Sequence, residues 1–504
     1  MTPEAYQQLA ATNEWMALWP EIAVALLGAL ILGLDLVSSP RTRDRVLPGL
    51  AMVGFLAIFA GVVLTSNAAL AEPDRLLFGG MIAQTDFSQW MRIFFLIGAI
   101  GAAYLGLAYL RKQDLPRSEF FTLLCFATAS MMLLAQSAHF VMLFVSLEAL
   151  TITFYVLVAY CRYSPFSLEA GLKYVVLGAF SSAILLFGIV LLYGTAGNPL
   201  LEGATGDGLG FRALRGFLAT GGNADYPLAV AGVALVVCGL AFKISAVPFH
   251  IWSPDVYHGA PTPVAAFLAV GSKAAGFAVL VNLMMGPFAP MSEITVPLLS
   301  AIMVLTVLYG NFAALGEGQL KRLMALSGIA HAGYLLLGVT AVAAGLVEAW
   351  LAVFFYLVTY LFGSYSVFGV LTFASGVRDE QQEITSYRRF SRQQPFLSVV
   401  LVIGLASLAG IPPLAGFVGK LLLFVVAFQA GLIVPLVAAI VGVVASIYYY
   451  FGWMRLCIFA DDTAADPEPV QPRIRLSLDQ KFAIGIMSGA LLVLGVYQGT
   501  LLGG

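Results

Sequence analysis

The chain has 504 residues, 60% of them hydrophobic and 10% charged, with a mean hydropathy of +0.93. A soluble domain carries about 25% charged residues, so a soluble globular fold is excluded and a polytopic membrane protein is implied. A formal net charge of −2, with no basic surface left once charges are assigned to loops, argues against a nucleic-acid partner.

Met1 to Glu14 is polar and carries acid where a signal peptide would be basic, so the first apolar run reads as a retained helix. Runs of bilayer-crossing length fall near 16–37, 47–66, 89–110, 119–135, 139–160, 170–195, 227–247, 262–285, 295–315, 322–344, 348–375, 396–427, 434–456 and 482–502, giving fourteen spans. The twelfth is too long for one straight crossing and contains Pro412 and Pro413; it predicts a broken helix. A second break is expected in span seven, between Lys243 and Pro248.

Of the 25 Lys and Arg residues, seventeen fall in or beside alternate loops, at 41, 43, 45, 111, 112, 117, 162, 321, 322, 378, 388, 389, 392, 455, 473, 475 and 481. Only Arg75, Arg212 and Arg215 fall in the opposite set, with Arg92 just inside a span. The positive-inside rule makes the first set cytoplasmic, and an even span count then puts both termini outside. The longest loops, near 197–225 and 461–480, are too short for a soluble domain, and the first is glycine-rich, as a flexible outer loop would be. Spans four to eight (119–285) and nine to thirteen (295–458) read as two five-helix units, preceded by three helices (1–118) and followed by a cytoplasmic loop and last helix (459–504). Five crossings per unit invert the second relative to the first, and each unit has one proline-interrupted helix bearing a lysine.

Charges at membrane depth are the candidate functional residues. Lys273 lies ~17 Å and Glu148 ~14 Å into their spans, close to the middle of the hydrocarbon layer. His331 is at similar depth, Lys243 precedes the first break, and Lys420 follows the second in the sequence VGK. A charged group there costs roughly 2.5 to 3.5 kcal/mol on insertion scales, whereas a structural bundle could use leucine. Protonatable groups strung across mid-membrane are what a proton relay needs: a Glu148–Lys243 pair that makes and breaks, Lys273 and His331 passing charge, and Lys420 at the end. Lys173, about three residues into span six, could equally snorkel to the interface. His250 follows the Pro248 break and could line an access path, while His139 and His258 at span ends read as solvated. The cysteines, Cys125, Cys161, Cys238 and Cys457, form no CxxC pair and read as small apolar side chains. Without a P-loop, a dinucleotide fingerprint or a cysteine cluster, no bound cofactor and no redox chemistry are expected of this chain.

The segments KISAVPFHIWSPDVYHGAPTP (243–263), KRLMALSGIAHAGYLLLG (321–338) and LAGIPPLAGFVGK (408–420) strongly resemble the antiporter-like membrane subunits of NADH:quinone oxidoreductase, respiratory complex I. WSPDVYHGAPTP and the lysine in GFVGK are most similar to the subunit N branch; a subunit M would be expected to carry glutamate at 420, and a subunit L a long carboxy-terminal extension. The resemblance implies an all-α membrane fold of about fourteen helices, with two inverted five-helix repeats and broken helices seven and twelve. It also implies Glu148 and Lys243 as the coupling pair, Lys273 and His331 as the central relay and Lys420 as the terminal site, with Lys173 and His250 at less defined family positions. FMN, iron–sulfur clusters and quinone would belong to partner subunits, and subunits M and K would be neighbours in a bacterial inner membrane. Two alternatives stay open on the residues alone: a multi-subunit cation/proton antiporter, and a scaffold whose charges conduct nothing.

Overall fold

A computed structural model of the chain describes residues 10–70, 74–113, 115–204, 207–376, 379, 382–459 and 474–497, with the side chains of 40–42 and 67–70 outside the description. The termini, Arg378, Arg473 and most of the expected 461–480 loop lie outside the described residues.

Among the described residues, twelve helices are long and apolar enough to cross a membrane. The first three are α1 (Trp19–Val37), α2 (Pro40–Leu70) and α3 (Asp86–Leu110). Between α2 and α3 lies an antiparallel hairpin the sequence reading missed, β1 (Arg75–Leu77) and β2 (Ile82–Gln84), turned by Gly79 and Gly80 at φ +66° and +86°.

The first repeat comprises α4 (Ser118–Ala135), α5 (Phe140–Val158) and α6 (Pro165–Ala196), then a broken crossing and a long helix. The expected flexible loop before that crossing contains α7 (Phe211–Leu218), whose Phe211, Leu214, Phe217 and Leu218 are buried. Its apolar face covers the helix ends beneath it. The broken crossing is α8 (Pro227–Lys243), an unwound stretch containing Pro248, and α9 (Trp252–Gly259). Next comes α10 (Thr262–Met285), interrupted by a π-helical turn at Leu268–Ser272 immediately before Lys273.

The second repeat comprises α11 (Ser292–Ala314), α12 (Leu320–Ala343) and α13 (Ala349–Ala374), the broken pair α14 (Pro395–Ala409) and α15 (Ala415–Gln429), and α16 (Ile433–Phe459). The last helix is α17 (Leu478–Val496). Twelve full helices plus two broken crossings give the fourteen expected segments, and both breaks fall at the prolines, which cannot donate to the preceding turn.

The repeats share one packing order. In the first, α4 packs on α5, α5 on α6, α6 on both halves of the broken crossing, and α10 returns to α4; in the second, α11 packs on α12, α12 on α13, α13 on α14 and α15, and α16 returns to α11. They meet where α9 and α10 pack against α12. Consequently α10 and α12 are buried along nearly their whole lengths, while α2, α6 and α16 turn apolar side chains outward. Lys112, just beyond α3, donates to the carbonyls of Thr372, Phe373 and Ser375, ties α3 to the carboxyl end of α13 and satisfies groups that the helix leaves free.

Candidate proton-relay site

Lys243 is the last residue of α8, where an ammonium meets the carbonyl end of its own helix. It is 3% exposed and donates to Thr151 Oγ1 on α5 at 2.7 Å. Glu148 lies one turn earlier on α5, half-buried, and its Oε1 accepts from Ser182 on α6 at 2.5 Å. The expected Glu148–Lys243 pair is therefore open: the two side chains occupy separate hydrogen bonds and make no ion pair, although Glu148 remains near enough to act on Lys243 electrostatically.

Lys273 projects from the residue after the π turn into the seam between the repeats. It is 2% exposed, and its Nζ has no hydrogen-bond partner. The ammonium sits 5.5 Å from the centre of the Tyr257 ring on α9. Across the seam it faces Gly328: a methyl group added there would come within 2.6 Å of Lys273 Nζ and 3.0 Å of Tyr360 Oη. Gly328 thus leaves room for the lysine and the tyrosine hydroxyl on the same side of α12.

His331, one turn on from Gly328, is bonded at both ring nitrogens: Nδ1 pairs with Tyr356 Oη at 2.7 Å and Nε2 with Tyr450 Oη at 3.1 Å. Tyr450 also bonds Ser327, and the Tyr360 ring lies 4.9 Å from the imidazole. Beyond it, Tyr334 meets the imidazole edge-on at 5.9 Å and lies 4.9 Å beneath Lys420 Nζ. Lys420 reaches back across the break and donates to the carbonyls of Leu408 and Ala409, both at 2.9 Å, at the end of α14. Gly410, at φ +85°, turns the chain there, and a methyl group at that position would sit 2.9 Å from Lys420 Cδ.

Lys273, His331 and Lys420 thus form one buried aromatic-lined file, with Lys243 and Glu148 at its near end. Two predicted auxiliaries stand apart. Lys173 is 42% exposed and bridges Glu169 and Asp255 in a surface cluster. His250 is buried in the unwound stretch of the first break, its ring 4.1 Å from Tyr309 and its Nδ1 unpartnered. His139 corrects the solvated reading: it is buried, caps α5 by accepting from the Val141 amide, and pairs with Asp207 at 3.2 Å. Among the described residues, no three His, Cys, Asp or Glu side chains are grouped to hold a metal ion.

Sequence reasoning missed the tyrosines that connect the file, although Tyr356 and Tyr360 share one face of α13 by their spacing of four. It also missed two buried ionic clusters. Arg92 pairs with Glu21 at 2.7 Å and is bonded by Gln89 and Gln136, joining α3 to α1 and α4. Lys321, counted among the loop charges, is buried, pairs with Asp379 at 2.7 Å and donates to the Ala260 carbonyl. Asp379 in turn accepts from Thr262, and this group borders a cavity of about 1090 Å³ on the face that carries most of the arginines and lysines.

The family described as NADH:quinone oxidoreductase/Mrp antiporter, TM matches residues 137–446, which contain the whole file. The chain is 47% identical to NADH-quinone oxidoreductase subunit N 1 of Opitutus terrae over 506 aligned residues, 99% of each chain. Among solved structures it is similar to a chain of respiratory complex I from Thermus thermophilus, with a TM-score of 0.77, 31% identity and coverage of 96% of this chain and 98% of that one. A chain of the Mrp complex from Dietzia shares the fold at a TM-score of 0.83 and 21% identity, covering 97% and 96%.

Proposed function

This chain belongs to the NADH:quinone oxidoreductase/Mrp antiporter family of membrane subunits and, within it, to the NADH-quinone oxidoreductase subunits N, and we propose that it carries protons across the membrane through the buried file while electron transfer runs in other subunits. The observation that carries this reading is Lys273: a buried ammonium with no hydrogen-bond partner, placed between Lys243 on one side and His331 and Lys420 on the other.

In this reading Glu148 is the switch. Moved from Ser182 onto Lys243, its charge favours the ammonium; moved back, it leaves Lys243 with only the Thr151 hydroxyl, and the proton passes toward Lys273. His331 relays it between the phenols of Tyr356 and Tyr450, and Lys420 is the terminal donor or acceptor. The basic face is cytoplasmic and both termini lie on the opposite side of a bacterial inner membrane. Subunits M and K are the neighbours, and FMN, iron–sulfur clusters and quinone reside in partner subunits.

The test is Lys243→Ala and Glu148→Ala in the intact complex, reading assembly, NADH oxidation and proton uptake together. Coupled activity is expected to fall about tenfold or more while the complex still assembles. Full pumping in both variants overturns the proposal, and loss of the complex favours the scaffold reading. Sodium-dependent transport without a co-purifying NADH-oxidising arm favours the antiporter reading.

A further inference from the structure

Helix α9 lies between the basic-face cavity and Lys273, and its charged contacts come from both repeats. Its inward side carries Ser253 and Tyr257, one turn apart; both are fully buried, and neither hydroxyl has a partner. Tyr257 is the ring against which the Lys273 ammonium rests. The next residue, His258, lines the large cavity on the basic face with Gly259 and Ala260, and its Nδ1 is also buried without a partner. One short helix is therefore the wall between that cavity and Lys273.

The chain is unwound before α9 and turns sharply after it, so the helix is not rigidly continuous with either neighbour. What holds it are charges from both repeats. Asp255 accepts from Lys173 of α6 at 2.7 Å through one oxygen and from Arg322 of α12 at 2.6 Å through the other. At its carboxyl end, the Ala260 carbonyl accepts from Lys321 at 2.8 Å. The Asp255 clamp is about one-third exposed, where ion pairs are weak enough to open and close.

We propose that α9 is a gate between the basic-face cavity and Lys273, and that Asp255 is the positioning residue that keeps it closed by bridging the two repeats. The proposal rests on the relay reading above. Opening lets solvent from the cavity pass Ser253 and Tyr257 to the lysine; closing the clamp seals it.

The test measures access without turnover, in inside-out vesicles containing the whole complex. Cys125, Cys238 and Cys457 are replaced, Ser253→Cys is introduced, and a membrane-impermeant maleimide is added. Cys161 lines the cavity and serves as the internal standard; because burial pushes its thiol up, labelling is run near pH 8 or above. Asp255→Asn should raise labelling at 253 roughly fivefold to tenfold, the effect of two lost ion pairs, with Cys161 unchanged and Asp255→Glu restoring protection. Unchanged labelling at 253, an equal rise at Cys161, or no rescue by Asp255→Glu overturns the gate. If Asp255→Asn does not assemble, Gly259→Ala decides. Its added methyl would lie 2.3 Å from the Phe166 carbonyl, lifting α9 off α6 with every charge in place; increased labelling supports the gate and unchanged labelling overturns it. Failure of the relay appears instead as full pumping in Lys243→Ala and Glu148→Ala, so the two readings fail separately.

Discussion

The two repeats place their lysines in opposite order relative to proline yet put the ammonium in the same electrostatic position. In the first, Lys243 ends α8 and precedes the break; in the second, Lys420 follows the break and folds back onto the carbonyls of Leu408 and Ala409. Both charges therefore rest at the carboxyl end of the first half-helix, where the peptide dipoles favour a cation. What differs is the grip. Both lie over an aromatic ring, Phe242 and Tyr334, but Lys243 is held by one side-chain hydroxyl, whereas Lys420 is held by two backbone carbonyls. On the proposed relay, the first lysine exchanges partners and the second stays in place.

That contrast can be broken from either side. Lys420→Ala should have the largest effect, leaving two helix-end carbonyls without a donor and ending the file; proton uptake in vesicles is expected at about a tenth of the parent or less. If Lys420→Ala pumps better than Lys243→Ala, the stronger grip has no functional meaning. Gly328→Ala comes next, because its methyl group would occupy the place of the Lys273 ammonium. A loss of about fivefold or more is expected, the equivalent of the ~1 kcal/mol at the low end of overpacking at one buried site, with assembly judged by native gel. Thr151→Val is the mildest: it removes the one hydrogen bond Lys243 makes, and about a twofold change is expected. A Thr151→Val effect as large as that of Lys420→Ala would erase the distinction between an exchanging and a fixed lysine.

Much of this organisation was legible in the sequence. Hydrophobic run length located all fourteen crossings, and the prolines located both breaks, because each property belongs to the segment itself. The five deep groups were equally visible, since a charge inside an apolar run stands out. Their partners were not. Helical spacing shows that Tyr356 and Tyr360 share a face, but not that this face meets His331, which belongs to another helix. The Asp255 bridge joins residues 82 and 67 positions away, and only the packing of α6 and α12 around α9 brings them together. The π turn before Lys273 has no period of its own to read, and α7 lay hidden in a stretch whose glycines masked four apolar side chains.

The knot of Arg92, Glu21, Gln89 and Gln136 is buried charge near the ends of its helices, and its chemistry differs from that of the lysine file. A guanidinium presents its donors as a rigid planar fork, and here the fork is occupied by Glu21, Gln89, Gln136 and the Ala17 carbonyl, so the cluster is a fixed contact and not one poised to exchange partners. Two of the three leading helices, α1 and α3, are thus moored to the end of α4 by one buried ion pair and its amide partners. Any displacement of the lysine file is then measured against a frame pinned by that contact.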